Sequence, residues 1–233
     1  SPLEEDTAWY FDVVNNKKNA LDVDKMDYLV RDAHMAGMKC ALNIDRLLSD
    51  VRVYGNNLSY PKNLKHEVMS VYRTRFVLHK RLYDHPVVAG IEMLLADVLL
   101  HAVAVLDVDV VPKDWVLTTD AIVDRIRSSK DPRLNMAKKL LYRLDTRRLY
   151  TCVEETYVDV CAERKASCVD MKVDGHVYHE STVGFTGDVR LKYPLDKVRF
   201  YDKKCPRSEC ESHVRTDEFR ALYQVCCRVY DVR

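Results

Sequence analysis

Two short stretches of this sequence place ionisable and aromatic side chains at helical spacing, and the first lies near the N-terminus. In "NNKKNALDVDKMDYLVRDAHMAG", residues 15–37, Asp24, Tyr28 and Asp32 follow one another at intervals of four, with Lys25 beside them. Side chains four residues apart lie on one face of an α-helix. A helix here would line two carboxylates, a phenol and an ammonium along one edge.

The second stretch, "YRTRFVLHKRLYDHP", repeats this spacing with Arg75, His79 and Tyr83. An arginine guanidinium suits phosphate oxygens, and a tyrosine can pack against a sugar or base while its hydroxyl forms a hydrogen bond. If both stripes face one cleft, that cleft holds lysine and arginine for phosphates and carboxylates for a metal.

Simpler explanations exist for both stripes. A polar stripe is ordinarily the solvated face of an amphipathic helix. His79 is also explained as a core histidine with satisfied hydrogen bonds, and Arg75 as the ion-pair partner of a carboxylate on a neighbouring helix. Residue types and spacing alone leave these alternatives open.

The chain that must position these side chains has a globular composition. It has 233 residues, 47% of them hydrophobic and 31% charged, which suits one large domain or one domain with a small companion. Lysine plus arginine (37) nearly balance aspartate plus glutamate (36), so an anion site must come from local clustering.

The longest apolar stretch, residues 87–106, is interrupted by Glu92, Asp97 and His101, which predicts a buried helix and no membrane partner. The N-terminal "SPLEEDTAWYF" lacks signal-peptide features, so we expect a nuclear or cytoplasmic location. The eight cysteines are then expected to be reduced, and the spacing of Cys205 and Cys210 fits no common zinc knuckle.

Periodicity predicts a mostly α-helical part, residues 1–150, followed by a small α+β lobe, residues 151–233. The lobe is expected because apolar and polar residues alternate around its glycines. The predicted helices cover Asp22 to Ala36 with Asp22 as N-cap, Ile44 to Arg52, Leu64 to Tyr83, 87–106, 120–128 capped by Thr118 or Thr119, a segment after Pro132, and Asp217 to Val229.

Four segments together resemble one family, the HD-domain deoxynucleoside triphosphate (dNTP) triphosphohydrolases that carry a sterile alpha motif. "NNKKNALDVDKMDYLVRDAHMAGM" resembles the family's N-K-x-N-x-[IL]-D-V-D-K-x-D-Y-x-x-R-D segment, and "TRFVLHKRLYDHPV" its T-R-x-x-L-H-x-x-x-Y-x-H helix. "SKDPRLNMAKKLL" and "PLDKVRFYDKK" resemble a later helix and strand. The matches keep their order from about residue 10 to 230, and they imply a partial HD-superfamily helical domain.

The resemblance implies a hydrolase that cuts a dNTP into a deoxynucleoside and triphosphate at a divalent metal (Mg, Mn, Fe or Zn). By position in the motifs, Asp24 would be a metal ligand. In the substrate site, Lys25 and Arg75 would bind the phosphates. Tyr28 and Asp32 would bind the sugar, with Asp32 near the 3′-hydroxyl, and His79 and Tyr83 would lie beside the sugar and the phosphates.

The sequence departs from the family at the metal ligands, at Asp84, where the family has a glutamine beside the substrate, and at the activator site. It contains no His-Asp dipeptide, so we expect a fragment that lacks the upstream His and His-Asp metal ligands. Arg46 and Lys203 match residues that grip an activating GTP or dNTP, whereas Pro86, Lys138 and Tyr142 do not keep that set. The nucleotide-driven tetramer switch is therefore not expected in its usual form.

Two functions follow as alternatives. One is the C-terminal part of a working dNTP triphosphohydrolase, a homo-oligomer (dimer or tetramer) by resemblance. The other is a non-catalytic HD-like module for assembly or for binding nucleotides or nucleic acid. The resemblance also gives mild support to single-stranded nucleic acid as a partner, although the balanced charge does not require it.

Overall fold

The computed structural model describes residues 8–106, 119–159, 172–173, 176–184, 194–203 and 223–232. Within these residues the helices are α1 (Ala8–Val14), α2 (Val23–Met35), α3 (Ile44–Ser49), α4 (Lys65–Leu78), α5 (Pro86–Leu106), α6 (Ile122–Ser128) and α7 (Asn135–Asp145). The strands are β1 (Arg52–Tyr54), β2 (Asn57–Pro61), β3 (Thr151–Asp159), β4 (Lys172–Val173), β5 (His176–Gly184), β6 (Arg199–Tyr201) and β7 (Tyr223–Asp231). Short 3₁₀ turns occupy Lys62–Leu64, Pro132–Leu134 and Pro194–Lys197.

Helix α2 forms where the sequence predicts it. The Asp22 side chain caps it by accepting a hydrogen bond from the Lys25 amide, which satisfies one of the free N–H groups of the first turn. Its buried residues Met26, Leu29 and Ala33 recur at intervals of three and four. After the helix, Gly37 adopts a φ of 66°, a left-handed conformation that suits glycine.

The predicted α-helix from Leu64 to Tyr83 is wrong at its C-terminal end. Helix α4 stops at Leu78, and the next five residues, His79–Tyr83, form a π-helical turn. Pro86 lacks a backbone N–H, so a regular α-helix cannot continue through it. A π-turn takes more residues than an α-turn. Tyr83 is therefore rotated away from the position that an uninterrupted α-helix would give it.

The predicted helix from Ile44 to Arg52 is also too long. Helix α3 ends at Ser49 and Arg52 begins β1, which pairs with β2 in an antiparallel hairpin. The two loop residues, Gly55 and Asn56, have φ values of 46° and 62°. Positive φ at both loop positions defines the tight hairpin turn that follows strand twist. Strand β6 joins β2 in parallel, in the order β1-β2-β6.

The chain divides into two compact units, the first formed by Ser1–Tyr83, Tyr157–Lys165 and Ser181–Cys226, and the second by Asp84–Thr156, Ala166–Glu180 and Cys227–Arg233. The first unit has its own core, in which fully buried side chains of α2, α4 and the β6 region meet. These include Leu29, Val71, Tyr72, Leu195 and Phe200. The core therefore lies directly beneath the helices that carry the two polar stripes.

The second unit has a core built on α5 and α7. Ala89, Leu94, Val98 and Ala102 of α5 are buried there. At Gly90 an added Cβ would lie 3.0 Å from the Tyr150 carbonyl oxygen, so the helix needs a residue without a side chain at this point. Within the described residues, one helix, α5, has the length and apolar composition needed to cross a membrane. The buried core helix of a globular domain can have the same length and composition.

The predicted helix from Asp217 to Val229 is wrong over the part that the structure describes, which begins at Tyr223. Residues 217–222 lie outside the described residues, and Tyr223–Asp231 is strand β7 in a sheet of order β3-β7-β5-β4. Cys226, Arg228 and Tyr230 are buried whereas Cys227 and Val229 are less so. This alternation has the period of two that a strand requires.

Helices α5, α6 and α7 form close to where the sequence predicts helices. Helix α6 begins at Ile122 after Ala121, which makes no side-chain cap, so Thr119 does not cap it; Thr118 lies outside the described residues. The chain changes from helix to strand between Asp145 and Thr151, close to the predicted change at residue 150. The proposed domains 1–150 and 151–233 stay a prediction. The mostly α-helical fold with a small α+β part is confirmed.

Candidate functional site

A hydrogen-bonded turn fixes the start of α2, and with it the first polar stripe. The Asn16 side chain accepts from the Lys18 and Asn19 amides at 3.1 and 3.3 Å and donates to the Leu21 carbonyl at 3.3 Å. The Tyr72 hydroxyl of α4 donates to the Asn19 carbonyl at 2.6 Å. These contacts hold the segment before α2 against α4, so the sequence "NNKKN" helps to position α2.

The structure brings the two polar stripes together. The Tyr83 hydroxyl donates a hydrogen bond of 2.7 Å to Asp32 Oδ2, which joins the π-turn after α4 to α2. The Tyr28 ring meets the Tyr83 ring edge-on, with centroids 6.3 Å apart. The Arg75 guanidinium lies close enough to the Tyr28 hydroxyl to act to lower its pKa. Side chains 51 residues apart in sequence thus share one surface.

The members of this cluster differ in their access to solvent. Tyr28, Asp32, Arg75 and Tyr83 are half-buried, and so is His79, whose ring lies edge-on to Tyr83 at 4.9 Å. These residues therefore form neither a fully solvated face nor a closed core. Together they form a half-buried cluster of an aromatic pair, a carboxylate, an imidazole and a guanidinium, which we call the pocket residues.

The two phenols of the cluster are held in their neutral form. Burial raises the pKa of Tyr28, an effect that Arg75 partly opposes. Burial, and then the hydrogen bond to Asp32, raises the pKa of Tyr83. A neutral phenol both donates and accepts hydrogen bonds. At neutral pH this cluster therefore offers the hydroxyl of Tyr28, the remaining lone pairs of the Asp32 carboxylate and the permanent charge of Arg75.

The two remaining residues of the first stripe lie at the start of α2. The Lys25 side chain is 16% exposed, and its ammonium lies 3.6 Å from Asp22 Oδ2. Asp24 is exposed, and its charge acts to raise the pKa of Tyr28, which places it near the pocket. The helix start thus adds a cation and a second carboxylate.

The described residues do not by themselves fit a metal. Nowhere among them do three or more His, Cys, Asp or Glu side chains form a group that could hold a metal ion. A catalytic metal ordinarily has several protein ligands. Asp24 as a metal ligand therefore remains a prediction. Of the cysteines considered for zinc, Cys226 and Cys227 form no disulfide bond within the described part of the chain, and Cys205 and Cys210 lie outside it.

The two residues predicted to bind an activating nucleotide are each engaged in an ion pair within the first unit. An Arg46 guanidinium nitrogen lies 2.9 Å from Glu67 Oε1, and the Lys203 ammonium lies 2.7 Å from Asp50 Oδ2. Both side chains are about half exposed, at 54% and 47%. Exposed pairs are weak, so these contacts are readily exchanged for others.

The structure also contains a cavity that the sequence did not reveal. It has a volume of about 860 Å³ and lies between α2 and the segment from Cys40 to Leu48. Its α2 residues include Asp27, Val30 and His34, which occupy a different flank of the helix from Asp24, Tyr28 and Asp32. In the sequence, this flank of α2 shows only a mixture of apolar and charged residues, and that mixture does not predict a cavity.

The fold and the paired stripes define a mostly α-helical, HD-like domain with a half-buried polar cluster that joins α2 to the end of α4. Comparison with known proteins places the chain beside enzymes of one kind. It is 28% identical over 208 residues to the deoxynucleoside triphosphate triphosphohydrolase SAMHD1 homolog of Dictyostelium discoideum, covering 84% of this chain and 40% of that protein. No family model matches the sequence.

Two further relatives agree. The deoxynucleoside triphosphate triphosphohydrolase SAMHD1 of Gallus gallus is 30% identical over 233 residues, covering 85% of this chain and 38% of that protein. An HD domain-containing protein of Acanthamoeba polyphaga mimivirus is 25% identical over 232 residues, covering 87% of this chain and 50% of the viral protein. The resemblance to HD-domain dNTP triphosphohydrolases is confirmed.

The shared region is only part of each relative. The chain spans about two fifths of the length of the two triphosphohydrolases, 40% and 38%, and half of the viral protein. The similarity therefore concerns one portion of those proteins.

Proposed function

We propose that this chain forms the sugar- and phosphate-binding side of the active site of a dNTP triphosphohydrolase. The observation that carries the proposal is the hydrogen bond of 2.7 Å between Tyr83 and Asp32. It joins two helices whose remaining stripe residues, Lys25 and Arg75, supply positive charge. The names of the relatives support a hydrolase acting on deoxynucleoside triphosphates.

The deoxyribose would bind at the tyrosine pair. Asp32 is half-buried and accepts one hydrogen bond from Tyr83, and a carboxylate has further lone pairs that can accept from a sugar hydroxyl. Tyr28 and Tyr83 present ring surfaces at an angle of 69°, which form two walls for an apolar sugar face. His79 stands beside Tyr83 and completes that wall.

The triphosphate would bind at the two cations. The guanidinium of Arg75 can donate two parallel hydrogen bonds to phosphate oxygens, and Lys25 acts as a compact point charge. In a partly desolvated pocket, fixed cations stabilise the charge that develops on the phosphates during cleavage. Asp24 as a ligand of a divalent metal belongs to the same proposal, and it would need ligands beyond those the described residues bring together.

Further properties implied by the resemblance stay predictions. They comprise activation by GTP or a dNTP at Arg46 and Lys203, assembly into a dimer or tetramer, binding of single-stranded nucleic acid, and a nuclear or cytoplasmic location. The exposed pairs of Arg46 with Glu67 and of Lys203 with Asp50 are compatible with exchange for a nucleotide phosphate.

The proposal is tested by dGTP binding and by the products of dGTP. We expect the purified chain to bind dGTP, and Lys25→Ala to weaken that binding about 10-fold, the loss of one charge-assisted contact. Lys17→Ala is the matched control, because Lys17 is an exposed lysine of the same stretch outside the cluster. With Mg²⁺ or Mn²⁺ and GTP present, any cleavage should release deoxyguanosine and intact triphosphate.

Two results contradict the proposal: no binding of dGTP, or cleavage that releases orthophosphate or pyrophosphate. Binding of dGTP without any cleavage is expected of a chain that holds only the binding side of the site, and it is equally expected of the second candidate function, a non-catalytic nucleotide-binding module. The specific observation on its side is that the described residues contain no cluster of metal-ligating side chains.

A further inference from the structure

Asp22 is a buried carboxylate beside the pocket, and its contacts exceed those of a helix cap. It is 7% exposed. Its Oδ1 accepts from the Lys25 amide at 2.9 Å, which is the capping bond. Its Oδ2 accepts from the Asn16 amide at 3.1 Å and lies 3.6 Å from the Lys25 ammonium. One carboxylate thus contacts both the backbone and the side-chain charge of Lys25.

The cap alone does not require a carboxylate. Serine, threonine and asparagine cap helices about as well as aspartate, since only a side-chain oxygen is needed. A lysine in the first turn of a helix is disfavoured by the positive end of the helix dipole. The negative charge of Asp22 offsets that cost at Lys25. The charge therefore acts on the lysine ammonium, separately from the capping oxygen.

Asp22 is itself held in place. Asn16, which donates to it from the backbone, is 3% exposed and is fixed by hydrogen bonds to the segment that precedes α2. The Asp22 charge also acts to raise the pKa of Tyr28, so the carboxylate lies close enough to the cluster to influence it. Lys25 is therefore paired with an anchored carboxylate and not with a mobile surface group.

We propose that Asp22 is a positioning residue that fixes the Lys25 ammonium at the start of α2, where it meets the triphosphate. This rests on the proposed function, which places the phosphates at Lys25 and Arg75. An ammonium has three donors, so a single loose pair with Asp22 leaves others for phosphate oxygens. A lysine side chain that is already held loses less conformational freedom when the ligand binds.

The test is Asp22→Asn in the full chain, with inorganic triphosphate and deoxyguanosine as separate probes in calorimetric titrations. Asparagine keeps a capping oxygen and removes the charge. We expect triphosphate to bind about 3- to 10-fold more weakly, the cost of ordering one long side chain. Deoxyguanosine has no triphosphate, so its affinity should not change, whereas general damage to the pocket would weaken both ligands.

A double-mutant cycle separates this inference from the proposed function. In a Lys25→Ala background, Asp22→Asn should have no further effect on triphosphate, because Asp22 acts through the lysine. If Lys25→Ala weakens triphosphate binding and Asp22→Asn leaves it unchanged or tightens it, the positioning role is wrong and the proposed site stands. If Lys25→Ala itself has no effect, the proposed phosphate site is wrong. Asp22→Ser, a second cap without charge, replaces Asp22→Asn if that variant does not fold.

Discussion

Replacing Arg75 with alanine is expected to weaken dGTP binding about 10- to 100-fold, because a hydrogen bond to a charged group contributes about 1.5–3 kcal/mol. Arg75 is half-buried, on the last turn of α4, and it lies close enough to Tyr28 to act to lower the pKa of that phenol. The substitution removes a cation from the phosphate end of the pocket and also releases Tyr28 at the sugar end. The affinity can be measured by calorimetry with dGTP.

The matched control is Arg73→Ala. Arg73 lies two residues earlier on the same helix, carries the same charge and is exposed. We expect it to change dGTP affinity less than 2-fold, since exposed charges contribute little. Arg75→Lys keeps the charge but loses the planar fork, so it should fall between wild type and Arg75→Ala. Equal losses in Arg73→Ala and Arg75→Ala would mean that general charge attraction, rather than this pocket, binds the nucleotide.

Leu29→Ala is expected to lower the free energy of unfolding by about 2–5 kcal/mol, the usual cost of removing a fully buried leucine side chain. Leu29 is 0% exposed and lies on the inner face of α2, in the core of the first unit. The two stripes depend on this core, because it holds α2 in register with α4. Chemical denaturation followed by circular dichroism measures the change.

Val30→Ala is the control for this variant. Val30 is the next residue on α2, is 38% exposed and lines the cavity on the helix flank. Its truncation should cost less than about 1 kcal/mol, as expected for a side chain still in contact with water. If the two variants lose equal stability, the core beneath the stripes is not packed as described.

Much of the site was predictable because it depends on local geometry. Asp22 is a cap residue directly before a stretch with apolar side chains at helical intervals, and both features act within one helix. The intervals of four then place Asp24, Tyr28 and Asp32 on one face whatever the rest of the fold does. The contact between Asp32 and Tyr83 is not predictable in the same way, because it joins two elements that are distant in sequence. The sequence shows only that the two side chains meet if both stripes face one cleft.

The errors share a cause in contacts distant in sequence. Strand β7 was predicted as a helix from its apolar residues, yet Arg228 is buried there and its Nε lies 2.7 Å from Glu155 Oε1, 73 residues away. That pairing overrides local propensity. The π-turn at His79–Tyr83 is not predicted, because its residue types and spacing are those of an ordinary α-helix. Yet this turn carries two of the pocket residues, in keeping with the frequent occurrence of π-turns at functional sites.

A crystal structure of the chain with a non-hydrolysable dGTP analogue tests the central claim most directly, namely that the two stripes form one nucleotide pocket. We predict the deoxyribose between the Tyr28 and Tyr83 rings, its 3′-hydroxyl within hydrogen-bond distance of Asp32, and the triphosphate against Lys25 and Arg75. An analogue bound in the cavity of Asp27 and His34 instead, with the Tyr83–Asp32 pocket empty, would contradict it.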